Sequence, residues 1–234
     1  MVSFTGSTET GRLFLKYSSE SNLKKTVLEC GGKNPAVVFN DAENLDLVAE
    51  HIVNGAFWNM GENCSAISRL IVHKDIKSEL LKKIVDRLRG WKTGDPLDPQ
   101  NHLGALIDKE HCKKVSSYLC EGAVIGGKID GNFVTPTIYE TTTDDKKARD
   151  EIFGPILSVL EVQTNEEAIS IANKTEYGLT ASIFSANTRN ALRGARELRA
   201  GTVTVNSYGE GDITTPFGGY KQSGFGGRDN GVHA

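Results

Sequence analysis

Long hydrophobic runs are absent from this 234-residue chain, whose most apolar stretches, 35–39 and 155–160, are only five or six residues long. A helix that crosses a bilayer needs about 20 apolar residues, so these runs exclude one. A secretory leader is lacking too, because Met1-Val2-Ser3-Phe4-Thr5-Gly6 has neither a basic stretch nor an apolar one. Charge of a single sign is also missing. The 27 Lys and Arg stand against 30 Asp and Glu, a net −3, which removes the electrostatic drive toward nucleic acid or an anionic membrane surface. Cysteine is scarce. Cys30, Cys64, Cys112 and Cys120 form no Cys-x-x-Cys pair and alternate with no histidine at zinc spacing, so no metal site is expected. A chain this long needs no disulfide staples, and each thiol is judged alone. These absences predict a cytoplasmic protein whose partner is a small molecule, with no nucleic acid and no membrane.

What is present is a sizeable apolar fraction, 38% of residues, enough for one large or two small domains. β-Branched runs at 35–39, 70–73, 103–107, 133–139, 157–162, 179–184 and 202–206 read as strands. Helical periodicity covers 45–57, 77–89, 109–121, 165–174 and 189–198. Strands alternating with helices predict an α/β fold with a mainly parallel sheet and flanking helices. The ends read differently. Residues 2–4 look like the end of a strand with nothing ahead to pair with it, and the glycine-rich stretch 218–227 shows no closing helix or strand. The chain is therefore expected to be a fragment of a longer one.

Several residues offer chemistry. Cys64 sits in the polar turn Asn59-Met60-Gly61-Glu62-Asn63-Cys64-Ser65, after an apolar helix and before a strand, where backbone N–H groups favour a thiolate nucleophile. The alternative is a small buried filler, the role that phase with Val115 and Leu119 assigns to Cys112. Glu29, in Leu28-Glu29-Cys30-Gly31-Gly32-Lys33, ends an apolar run beside two glycines that permit close approach. Desolvation there would raise its pKa toward that of a general base. Lys33 could instead be its ion-pair partner. Gly6-Ser7-Thr8-Glu9-Thr10-Gly11 opens a helix after a strand, so it is either an anion site or a plain Ser7 N-cap. Glu151-Ile152-Phe153-Gly154-Pro155 joins a carboxylate to an aromatic at a sharp turn, suited to a ribose and a stacking face or to turn packing. His73, His102 and His111 have no partner that the sequence establishes.

Taken in order, Phe4-Thr5-Gly6-Ser7, Leu28-Glu29-Cys30-Gly31-Gly32-Lys33, Gly61-Glu62-Asn63-Cys64, Glu151-Ile152-Phe153-Gly154-Pro155 and Pro216-Phe217-Gly218-Gly219-Tyr220-Lys221-Gln222-Ser223-Gly224 closely resemble the NAD(P)-dependent aldehyde dehydrogenase superfamily. The resemblance covers essentially the whole chain and matches the C-terminal half of such enzymes. It implies a catalytic domain over 30–222, preceded by a remnant of the dinucleotide-binding domain over 1–29 and followed by a truncated segment over 223–234. It also implies that Cys64 attacks the aldehyde to give a thiohemiacetal, and that Glu29 activates water to hydrolyse the later thioester. Glu151 is then the ligand of the nicotinamide ribose and Phe153 its stacking neighbour. Ser7 with Gly6 contacts the pyrophosphate, and the Cys30 carbonyl lies near the nicotinamide amide. The implied cofactor is NAD(P)+, with NAD+ favoured.

Departures from the family pattern include Cys30 where leucine is frequent, Glu62 where glutamine is frequent, and the pair Gly226-Gly227. The upstream half is not in this sequence, so the isolated polypeptide is expected to be inactive, while a full-length form is expected to be a homo-oligomer. Tyr208-Gly209-Glu210-Gly211-Asp212-Ile213-Thr214-Thr215 resembles the aminoaldehyde-oxidising branch, in which Asp212 or Glu210 could attract an ammonium group. Two alternatives stay open, a CoA-acylating semialdehyde dehydrogenase and a non-catalytic domain. Glu29 counts against the first.

Overall fold

The computed structural model describes residues 1–209 and 211–227. Its main sheet has six strands, ordered β10(Thr202–Val205), β9(Thr180–Phe184), β3(Asn34–Val38), β4(Ile67–His73), β8(Ile156–Val162) and β7(Thr137–Glu140). All five neighbouring pairs are parallel. The α/β fold with a mainly parallel sheet expected from the alternation of elements is what forms.

Parallel strands in the middle of such a sheet are covered on both faces, so they read as continuous apolar runs. Alternate side chains sort to opposite faces. Ala36, Val38, Leu70, Val72, Leu157 and Val159 enter one core cluster together with Val48, Ile52, Leu80 and Ile84. Those last four come from α2(Leu45–Phe57) and α3(Lys74–Leu88). On the other face Val37, Ile71, Leu160 and Val162 pack with Ala168, Ile169 and Ala172 of α6(Asn165–Asn173). Gly194 of α7(Thr188–Glu197) lets that helix close on β9, since a Cβ there would lie 2.0 Å from the Ile183 side chain.

A second sheet holds β1(Val2–Thr5), β2(Thr26–Glu29) and β11(Gly224–Phe225), with α1(Thr8–Ser19) crossing between the parallel pair β1 and β2. Strand β11 runs antiparallel to β2 and aligns Gly224 with Glu29. The glycine-rich stretch expected to contain no strand thus contributes a short one. The other described elements include α4(Lys109–Ser116), the hairpin β5(Ile129–Asp130) and β6(Phe133–Val134), α5(Lys146–Arg149), and short 3-10 turns at Trp58–Gly61 and Lys221–Ser223.

Three expected elements differ. The run 103–107 forms a single bridge, Leu103 to Thr93, and leaves Ile107 exposed; it holds one glycine and one β-branched residue, and Leu106 instead packs against α4. The run 133–139 splits because Pro136 has no N–H to donate to a ladder. Helix α4 stops at Ser116, where the Ser116 hydroxyl donates to the Cys112 carbonyl at 2.5 Å and competes with the helical pattern. Cys112 and Val115 are buried in the same cluster, as their phase predicts.

No helix among the described residues is long and apolar enough to cross a membrane. The central strand β4 enters both cores, with Leu70, Ile71 and Val72 fully buried. Replacing Leu70 with alanine is expected to cost about 2–5 kcal/mol, read as a lower urea midpoint at unchanged slope.

Candidate active site

Glu29 ends β2 and is 5% exposed. Its carbonyl accepts the Gly6 N–H at 3.0 Å, so the Gly6-Ser7 turn lies at the same end of the β1–β2 pair. The linker that follows is pinned from both sides. Cys30 N–H donates to the Ser223 carbonyl at 2.8 Å, and the Ser223 hydroxyl donates to the Gly31 carbonyl at 2.6 Å while accepting the Gly178 N–H at 2.9 Å.

The two glycines have a visible use. A Cβ on Gly31 would lie 2.0 Å from a Glu151 carboxylate oxygen, and one on Gly32 would lie 2.8 Å from the Cys64 carbonyl. The Gly32 N–H donates to Glu151 Oε1 at 2.9 Å. A glutamate from one loop and the backbone of the Cys64 turn therefore rest against adjacent residues of the chain leaving Glu29. The close approach read from the sequence is made by this chain's own groups.

Cys64 is half-buried, and its turn is fixed through the backbone. Asn34 Nδ2 donates to the carbonyls of Cys64 and Ala66 at 2.7 and 2.9 Å, and Asn34 Oδ1 accepts the Thr180 N–H at 3.1 Å. Thr180 Oγ1 donates to the Ser65 carbonyl at 3.3 Å. Ahead of the cysteine, Asn59, Met60 and Gly61 have φ of 50°, 58° and 68°. Two non-glycine residues in the left-handed region store strain, a feature that concentrates at functional sites. Gly61 brings this turn against the loop carrying Glu151, since a Cβ on it would meet the Gly154 carbonyl at 2.5 Å.

In that loop Phe153 also has positive φ, 59°, and its ring is 36% exposed. Its carbonyl accepts from His111 Nε2 at 2.5 Å, and the same nitrogen lies 3.4 Å from Glu62 Oε1. Burial pushes the Glu151 carboxyl above its usual range, while the Gly32 N–H, Lys114 and Lys33 pull it back toward the ionised form.

Ser7 is the N-cap of α1 and accepts the Thr10 N–H at 3.2 Å. It lines a cleft of about 640 Å³ together with Thr8, Glu9, Lys114, Glu151 and Tyr177. Helix N–H groups suit a pyrophosphate and a carboxylate suits sugar hydroxyls, so the cleft residues fit the phosphate and sugar parts of a dinucleotide, while the exposed Phe153 ring stands outside the cleft lining. The Cys30 thiol points to α1, where a Cβ on Gly11 would meet it at 3.0 Å, and burial raises its pKa with added push from Glu29 and Glu151. The structure thus gathers Glu29, Cys30, Cys64, Glu151 and Phe153 about one linker, with Gly6 and Ser7 at its edge.

The sequence pattern matches the aldehyde dehydrogenase family model over residues 1–234. The chain belongs to the aldehyde dehydrogenase family. It is 60% identical over its whole length to aminoacetaldehyde dehydrogenase of Pseudomonas aeruginosa, covering 49% of that protein. Among solved structures it is similar to γ-glutamyl-γ-aminobutyraldehyde dehydrogenase from Burkholderia cenocepacia, with TM-score 0.95 and 46% identity over 99% of this chain and 49% of that one. A structure of indole-3-acetaldehyde dehydrogenase with NAD+ gives TM-score 0.96 and 45% identity, over 99% and 49% of the two chains. The chain spans about half the length of these relatives.

Within this aldehyde dehydrogenase scaffold, sequence reasoning passed over Asn34, Arg69, His111 and Lys114. Asn34 had one available signal, a polar residue at the head of an otherwise apolar strand. Arg69 is 2% exposed; its guanidinium donates to the carbonyls of Lys33, Ile171 and Ala172, closing the end of α6. Burial lowers its pKa to about 10.

Lys33 is 1% exposed, and its Nζ makes no hydrogen bond, so it is not the hydrogen-bonded partner of Glu29 that its position suggested. Burial and the neighbouring Arg69 lower its pKa to about 7, against weaker support from Asp150, Glu151 and Asp145. Between that value and an ordinary lysine value of about 10.4 the unfolded chain holds the proton and the folded chain does not. Stability from this group therefore rises with pH across that window, and its cost is complete below about pH 7. Lys33→Met is expected to stabilise the fold at about pH 6 by about 1–4 kcal/mol and to flatten the rise between about pH 7 and 10. Urea titrations at several pH values check this.

Proposed function

We propose that this site oxidises an aldehyde to a carboxylic acid, with Cys64 as nucleophile and Glu29 as general base. The carrying observation is the Gly31-Gly32 step. It lets the Cys64 turn and the Glu151 carboxylate both rest on the chain that leaves Glu29.

The Cys64 thiolate adds to the aldehyde carbon and forms a C–S bond, leaving the carbonyl oxygen as an alkoxide. The Cys64 backbone N–H helps to hold that charge, and the rigid turn keeps it aimed without reorganisation. NAD(P)+, when bound against Glu151 and Phe153, would supply the hydride acceptor, so that the thiohemiacetal carbon on Cys64 becomes a thioester. Glu29 then takes a proton from water, the oxygen attacks the thioester, and the thiolate departs as the acid is released. Glu29, 5% exposed, is shielded from bulk water, so the water it activates is one held in the site.

Glu151 serves as the hydrogen-bond acceptor for the nicotinamide ribose and Phe153 as its stacking face. Gly6 and Ser7 hold the pyrophosphate at the α1 N-terminus, and the Cys30 carbonyl receives the nicotinamide amide. Residues 1–29 form part of the dinucleotide-binding domain, 30–222 the catalytic domain and 223–234 a C-terminal segment. The whole protein works as a homo-oligomer in the cytoplasm.

The substrate class is an aminoaldehyde. The 60% identical relative is named for aminoacetaldehyde, which supports this reading. Asp212 is exposed and ionised, its carboxyl held below the usual range by the Thr214 hydroxyl and N–H, so it offers negative charge to an ammonium group. Glu210, the other acid considered for that role, lies outside the described residues.

The nucleophile assignment is tested by low iodoacetamide near neutral pH with mass spectrometric mapping. Cys64, although less exposed than Cys120, is expected to label at least about fivefold faster than it, because rate follows thiolate content more than access. Buried Cys112, whose thiol donates to the Gly131 carbonyl at 3.2 Å, is expected to label slowest. Labelling of Cys64 at or below the rate of Cys120 would overturn the assignment.

A further inference from the structure

We propose that His111 is a positioning residue that ties the Phe153 loop to the turn carrying Cys64, and so presets the surface that receives the cofactor. This rests on the reading of Glu151 and Phe153 as cofactor contacts.

The geometry carries it. His111 lies in the first turn of α4, where Asp108 is the N-cap and its Oδ1 accepts the His111 N–H at 2.7 Å. The helix start is therefore fixed, and the imidazole projects from a rigid base. Its Nε2 lies 2.5 Å from the Phe153 carbonyl. A carbonyl oxygen only accepts, so Nε2 carries the hydrogen in either protonation state of the ring. Glu62 Oε1 lies 3.4 Å from the same nitrogen, an electrostatic contact without a hydrogen bond. It also receives the Ile107 N–H at 3.1 Å, which orients the carboxylate. Both side chains are largely buried, at 15% and 9% exposure.

Glu62 stands two residues before Cys64, and Phe153 two residues after Glu151. One imidazole therefore spans the two loops from which the nucleophile and the cofactor contacts are drawn. The tie has work to do, because Phe153 holds φ of 59°, a conformation that an aromatic residue adopts only under constraint. The ring of His111 also meets that of Phe153 edge-on, with centroids 6.1 Å apart and planes at 75°. Without the imidazole the backbone of residues 151–154 is free to relax toward negative φ and turn the exposed ring face away.

The test compares the wild type with His111→Ala and His111→Gln, the latter retaining an N–H donor. NAD+ affinity is measured by calorimetry, and Cys64 alkylation and amide exchange over 152–156 are followed without cofactor. In that segment the Ile156 N–H bonds the Gly154 carbonyl. Loss of one buried hydrogen bond of this kind corresponds to about a tenfold weaker NAD+ complex for His111→Ala, with His111→Gln within about threefold of wild type. Exchange over 152–156 is expected to quicken in the alanine variant alone, with Cys64 alkylation in both variants within about twofold of wild type. Wild-type affinity in His111→Ala, or equal weakening in both variants, would overturn the proposal. If the wild type itself binds no NAD+, the cofactor reading fails and the exchange measurement decides the tie by itself: faster exchange in His111→Ala supports it and unchanged exchange overturns it.

Discussion

One carboxamide organises this site. Asn34 spends both of its N–H donors on the carbonyls of Cys64 and Ala66 and its oxygen on the N–H of Thr180. It stands at the head of β3, immediately after the linker from Glu29, and it is 3% exposed. A buried amide with these partners is stable, whereas the same carbonyls left without donors would each carry a desolvation penalty of about 1–3 kcal/mol. The turn that presents Cys64 therefore has one register against β3. No other side chain of similar size could replace Asn34, because the task needs two donors and one acceptor in a plane.

Around that amide the chain accepts arrangements that are costly by themselves. Three successive residues before Cys64 take left-handed backbone, Phe153 does the same, and two basic side chains, Lys33 and Arg69, are buried next to each other. Arg69 is stabilised by carbonyls, including two at the end of α6, and its grip on the Lys33 carbonyl adds a second hold on the linker. The six-stranded parallel sheet, packed on both faces, is what makes such strain affordable. Its strands β3, β4 and β8 begin where the loops of the site end, while Glu29 closes the carboxyl end of β2 in the smaller sheet.

Much of this was legible in the residues. Short apolar runs located β3, β4 and β8 because buried parallel strands have no polar face to confuse the pattern, and β-branched content located β9 and the partly exposed edge strand β10. The polar turn before Leu70 and the glycine pair after Glu29 pointed to Cys64 and Glu29 for physical reasons, and the order of five motifs pointed to the family. What stayed hidden depends on contacts between loops distant in sequence. His111 is 42 residues from the carbonyl it bonds, and nothing near it in the chain announces that distance. Asn34 lay just ahead of the run 35–39, and its polarity alone carried no local signal of its role, since its three partners come from two other segments. The run 103–107 misled for the opposite reason, because apolar content there serves a loop cluster and not a ladder.

The central claim is that the Asn34 amide sets the geometry of the Cys64 turn, and amide hydrogen exchange on Asn34→Ala tests it most directly. Exchange over residues 63–67 is predicted to quicken at least about tenfold, while that over β7 and β8 stays within about twofold of wild type. Equal protection of residues 63–67 in the variant and the wild type would contradict the account, since the turn would then hold its shape without the amide.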